Sequence, residues 1–162
     1  SPDVAQAAAT LAVALGCGLL VGIERERRKG SGPARALAGL RSFALTCVTG
    51  AAAALTGLSG VVVAGAAFIA ALCVVAYVKD RSDDPGVTTE VALLLTYLIG
   101  VLAAHSGALA AAMAVSLTVV LAVRDRAHRF VNHWLQPAEM RDGLLLAALV
   151  LLGLPLLPDR AL

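Results

Sequence analysis

The sequence predicts an all-α, polytopic transmembrane helix bundle of about six helices with a cytoplasmic amphipathic helix. Three observations predict it. Hydrophobic residues make up 59% of the 162-residue chain and charged residues only 15%, against about 45–50% and about 25% in a soluble domain. The apolar residues gather into runs close to the ~20 residues that cross a ~30 Å hydrocarbon core. The charges fall between the runs, and the basic ones are unevenly shared between the two sides.

The first run covers residues 4–23 and stops at Glu24. A second covers 42–58 and a third 61–78, with Ser59-Gly60 leaving room only for a tight turn between them. A fourth helix is expected over 88–104. His105-Ser106-Gly107 then turns the chain into a fifth, over 108–123. A sixth covers 137–157 and ends before Pro158. The last three are short for a full crossing, so tilt, bilayer thinning or burial against neighbours makes up the difference. All six form one domain, residues 1–162.

Residues 124–136 have a different character. Ala127, Phe130, Val131, Trp134 and Leu135 recur at the spacing of one helical face, while Arg124, Arg126, His128, Arg129, Asn132 and His133 fall elsewhere around the wheel. This is the pattern of an amphipathic helix lying on the leaflet. The alternative is a helix that docks a partner. Pro137 suits the first turn of the next helix, and Glu139 complements its positive end.

Loop charges set the expected orientation. Arg25, Arg27, Arg28, Lys29, Arg35 and Arg41 lie between the first two helices. Lys79 and Arg81 follow the third, and Arg124, Arg126, Arg129 and Arg141 follow the fifth. Twelve of the thirteen basic residues thus share one side, with Arg160 on the other. By the positive-inside rule the basic side is cytoplasmic, which puts both termini outside. The first run has no basic stretch before it and does not read as a cleaved signal peptide.

Several function classes lose support. A net charge of +2 is too small to suggest nucleic acid. No GxxxxGK[ST], HExxH or GxSxG motif is present, so an enzyme is not expected. Two Met and six aromatic residues suggest no cofactor pocket. The three cysteines, Cys17, Cys47 and Cys73, are odd in number and lack CxxC spacing, which argues against a disulfide framework.

Glu24, Arg25 and Glu26 end the first helix, Arg41 opens the second, and Thr88, Thr89 and Glu90 open the fourth. The expected topology brings all of these ends to one membrane face. A carboxylate beside an apolar core is costly unless paired, and marks a functional site by default. Oxygen ligands from Glu24, Glu90, Thr88 and Thr89 would suit a hard divalent cation such as Mg²⁺. Arg41 would pair a carboxylate or hold an anionic headgroup. The plainer alternative is that Glu90 complements its helix dipole while Glu24 and Arg25 anchor the first helix at the interface.

The cysteines each lie roughly 9–10 Å inside the basic boundary at 1.5 Å per residue. Three thiols at one depth could bind a soft metal, or could simply be small buried residues. Gly18 and Gly22 make a GxxxG pair, with Gly16 nearby, and such faces let helices approach closely within the bundle or between two copies. Membrane lipids are the expected surroundings, and a homo-oligomer or a second membrane domain the expected partner.

These motifs carry a family resemblance. The stretch Gly18-Leu-Leu-Val-Gly-Ile-Glu-Arg-Glu-Arg27, followed by Ala38-Gly-Leu-Arg-Ser-Phe-Ala-Leu45, resembles the start of MgtC/SapB membrane proteins. Gly86-Val-Thr-Thr-Glu-Val91 looks like a later segment of that family. The resemblance covers roughly residues 11–104. Glu24, Arg25, Glu26, Gly39, Arg41, Thr88 and Thr89 are the positions that match. The family's D-P-x-R stretch and the Gly-rich helix after it are missing between the second and fourth helices.

The Thr-Thr-Glu form and the later Leu-Pro-Leu-Leu-Pro-Asp are similar to the branch in which this domain precedes a second membrane domain. The resemblance therefore implies the N-terminal part of a longer protein. It also implies a bacterial inner-membrane location and a link to Mg²⁺ homeostasis. Two functional readings stay open: an ion- or small-solute-handling domain, and a non-transporting regulator acting on another membrane protein.

Overall fold

A computed structural model of the chain describes residues 3–27, 39–79, 87–133 and 136–156. Six α-helices make up almost all of it: α1 (Val4–Arg27), α2 (Leu40–Leu55), α3 (Ser59–Lys79), α4 (Thr88–Ala103), α5 (Gly107–His133) and α6 (Pro137–Gly153). A single 3₁₀ turn, Leu154–Leu156, follows α6. The all-helical class is as the sequence predicts. Among the described residues three segments are long and apolar enough to cross a membrane: Val4–Arg27, Ser59–Lys79 and Gly107–Arg124. The helices α2 and α4 are apolar but have 16 residues each. At 1.5 Å per residue that is about 24 Å, short of the ~30 Å core.

The helix ends differ from the hydropathy runs in instructive ways. The helix α1 continues one turn past Ile23, because Glu and Arg are good helix formers and the backbone ladder does not stop where lipid does. The turn between α2 and α3 falls at Thr56-Gly57-Leu58, ahead of Ser59-Gly60. Gly57 has φ +72°, a left-handed conformation that glycine adopts without steric cost. The helix α5 runs unbroken from Gly107 through His133, so the basic segment expected as a separate helix is continuous with it. No Gly or Pro occurs after Gly107 to interrupt it.

Ser106 and Gln136 cap the last two helices. The Ser106 hydroxyl accepts from Leu109 N–H at 3.3 Å. Gln136 and Glu139 form a reciprocal capping box, with Pro137 in the first turn. Trp134, Leu135 and the loop residues Arg28, Lys29, Arg35, Arg81 and Arg160 lie outside the described residues.

The chain divides into two compact units, Ser1–Ala122 and Val123–Leu162. In the first, α2 and α4 pack against each other. The helix α1 packs on both of them, and so does α3. Ala14, Cys17 and Val21 of α1 share one core with Phe43, Cys47 and Ala51 of α2. Ala92, Ile99 and Ala103 of α4 and Ala110, Ala114 and Leu121 of α5 complete it. A smaller core joins Ile69 and Cys73 of α3 to Tyr97 of α4.

Glycine sets how close these helices come. A Cβ at Gly18 would stand 2.8 Å from the Ala44 Cα, and one at Gly22 would stand 2.9 Å from the Leu40 Cα. The GxxxG pair is therefore spent on the α1–α2 contact. Between α2 and α4 the approach is closer still. A Cβ at Gly50 would overlap the Tyr97 carbonyl oxygen, and one at Gly100 the Cys47 carbonyl oxygen. Without a hydrophobic drive between helices in lipid, such backbone-to-backbone packing supplies the attraction.

Candidate functional site

The C-terminal end of α1 meets the N-terminal ends of α2 and α4. A helix start leaves its first N–H groups without intrahelical partners. Gly39, buried and extended (φ −133°, ψ −158°), is the N-cap of α2 and has no side chain to supply one. Glu26 supplies it from α1 instead: its Oε2 accepts from Leu40 N–H at 3.0 Å. The carboxylate also sits where the helix dipole favours negative charge.

The neighbouring charges are paired locally or across helices. Glu24 is buried, and its two oxygens accept from Arg27 Nη2 at 3.1 and 3.0 Å. Arg27 itself is two-thirds exposed (66%), so this pair reaches from the packed interior to the surface. Arg25 turns the other way and donates to the Thr89 hydroxyl, which ties the end of α1 to the first turn of α4. These are the contacts a carboxylate and a guanidinium need at the edge of an apolar core.

Glu90 follows Thr89 in the same turn. Its backbone carbonyl oxygen accepts from the Cys73 thiol of α3 at 3.5 Å, so three helices touch at this point. Its side-chain Oε2 is buried, and no donor among the described residues reaches it. A buried acceptor left in this state costs about 1–3 kcal/mol. Thr88 is part-buried at the start of the same helix.

The structure thus brings Glu24, Arg25, Glu26, Thr88, Thr89 and Glu90 to one end of the bundle. Arg41 is exposed on the first turn of α2. The cross-helix bond at this end is made by Arg25 and Thr89.

The cysteines do not converge. Cys17 and Cys47 lie in the larger core and Cys73 in the smaller one. Among the described residues no group of three or more His, Cys, Asp or Glu is placed to hold a metal ion. One residue that sequence reasoning passed over is Tyr97. It is fully buried in α4, and its hydroxyl donates to the Val62 carbonyl of α3 at 2.8 Å. Gly65 leaves the space its ring needs. The only sequence signal was an aromatic hydroxyl in an otherwise aliphatic run.

A sequence profile of the MgtC family matches residues 11–130, more than half of the chain. The chain belongs to the MgtC family. The match takes in all three motifs and reaches past them into the basic part of α5. Every residue of the cluster at the ends of α1, α2 and α4 lies inside it. MgtC-family membership and the apolar helices together make this a membrane protein of a family linked to Mg²⁺ homeostasis. No curated protein and no solved structure matches the chain.

Proposed function

We propose that the chain is an ion-handling domain of the bacterial inner membrane, with its basic end in the cytoplasm and Glu90 as the group that takes the ion. One observation carries this reading: the buried Glu90 Oε2 receives no hydrogen bond from the described residues. Glu26 and Arg25 bridge helices and Glu24 pairs with Arg27 within α1, whereas this oxygen accepts nothing from the described residues beside an apolar core. An ionisable group in that setting is a functional site by default. A proton or a hard cation would satisfy it, with water completing an oxygen shell of the kind Mg²⁺ prefers. The Arg25–Thr89 bond is then a positioning contact, because it fixes the turn of α4 from which Glu90 projects.

The experiment is a thermal-shift scan of the detergent-purified chain against Mg²⁺, Mn²⁺, Co²⁺, Zn²⁺ and phosphate, beside Glu90→Gln and Glu24→Gln. The expected result is a saturable shift with a divalent cation that Glu90→Gln removes. Binding to the native state raises stability by RT ln(1 + [L]/Kd), so occupancy registers directly. A well-folded chain that shifts with none of these ions overturns the reading.

A second reading, a regulator that acts on another membrane protein, draws on α3. Of its 21 residues only Ile69 and Cys73 are buried. Such a face suits association within the bilayer. Under that reading Glu90→Gln leaves function intact, while polar substitutions at Phe68 or Val75 abolish partner capture.

A further inference from the structure

A groove of about 500 Å³ is lined by α2, α3 and one residue of α4. Its walls are apolar: Leu45 of α2, Phe68, Ile69, Leu72 and Val75 of α3, and Leu93 of α4. Its polar groups are few. Lys79, the last residue of α3, lines one end, and Ser42, Thr46 and Thr49 of α2 line it too. The groove therefore has an amphiphile's pattern, a long apolar channel with a cation at one end.

We infer that this groove holds one acyl chain of an anionic glycerophospholipid from the leaflet at the basic end, with Lys79 on the phosphate. The dimensions agree. Phe68 and Lys79 are eleven residues apart on α3, about 16 Å at 1.5 Å per residue. One leaflet contributes about half of the ~30 Å hydrocarbon core. The charge agrees, since a cation at a leaflet surface attracts anionic headgroups. The wall chemistry favours a flexible chain over another helix. Helix–helix contacts in lipid use small residues, as Gly18, Gly22, Gly50 and Gly100 do here. The α3 wall of the groove instead presents mainly branched and aromatic side chains, Phe68, Ile69, Leu72 and Val75, and no glycine lines it.

The test uses the full chain in nanodiscs. Trp134→Phe removes the only native tryptophan, and Phe68→Trp places a reporter on the groove wall. Val63→Trp, elsewhere on α3, is the control for general lipid contact. Quenching is measured with chain-brominated phosphatidylglycerol and, separately, phosphatidylcholine. The groove reporter is expected to be quenched at an anionic-lipid fraction about fivefold lower than for the zwitterionic lipid. Lys79→Ala should remove that preference and Lys79→Arg retain it, and the Val63 reporter should show no preference. Equal quenching by both lipids at the groove overturns the proposal and leaves only annular lipid. A groove reporter that neither lipid quenches, in a chain that cross-links to itself through Phe68→Cys, also overturns it and assigns the groove to a second copy.

Discussion

The α2–α4 contact and the outer face of α3 are built on opposite rules. Between α2 and α4, Gly50 and Gly100 bring backbone against backbone, with no space for one added carbon. On α3, Val63 is 67% exposed, Phe68 60% and Val78 76%, and most substitutions would meet nothing. In water the second surface would be the anomaly. In lipid it is ordinary, because hydrocarbon solvates Val and Phe as well as a protein core does. The lesson is that hydrophobicity tells little about burial in such a chain. Glycine and the few polar contacts mark the interior.

The sharpest way to break this contrast is Gly100→Leu. Its added atoms have to displace the Cys47 carbonyl, so the loss should reach or exceed the ~1–3 kcal/mol of ordinary overpacking. Gly16→Leu is the matched control on α1, where a Cβ meets nothing within 4 Å. It should stay within about 0.5 kcal/mol. Reversible unfolding in mixed micelles would measure both, and equal losses would refute the account of the interface.

Arg25→Ala should come next. It removes the tie between α1 and α4, and a hydrogen bond to a charged group is worth about 1.5–3 kcal/mol. A double-mutant cycle with Thr89→Val isolates that contact, and a coupling near zero would show that it contributes nothing. Tyr97→Phe deletes one neutral bond to Val62 while keeping the ring, and should cost about 0.5–1.5 kcal/mol in the same assay. The smallest effect belongs to Arg27→Ala. Its partner Glu24 is buried, but the arginine is largely in solvent, where such pairs are worth about 0–1 kcal/mol. Raising the salt concentration should shrink that difference further.

The number and order of helices were legible because each apolar run is bounded by charge or by turn residues. The ends were less so. Hydropathy marks where lipid ends, and α1 carries its ladder one turn beyond, which places Glu24, Arg25 and Glu26 on a rigid helix rather than in a loop. Gly18 and Gly22 were recognisable as a packing face, but nothing in their spacing names α2 as the partner. Gly100 gave no warning, since a lone glycine in an apolar run has many readings. The cluster of Glu24, Arg25, Glu26, Thr89 and Glu90 followed from topology alone. Its pairing did not, because which way Arg41 points depends on the rotation of α2 about its own axis. A sequence does not encode that rotation locally; the close packing of Gly18 and Gly22 against Ala44 and Leu40 sets it.

The central claim is that Glu90 takes an ion at the meeting point of α1, α3 and α4. Infrared difference spectroscopy of the purified chain, with and without Mg²⁺ and across a pH series, tests it most directly. The account predicts a carboxyl band that responds to the cation or the proton, persists in Glu24→Gln and disappears in Glu90→Gln. A spectrum that Mg²⁺ and pH leave unchanged, or a response that Glu90→Gln retains in full, would contradict it.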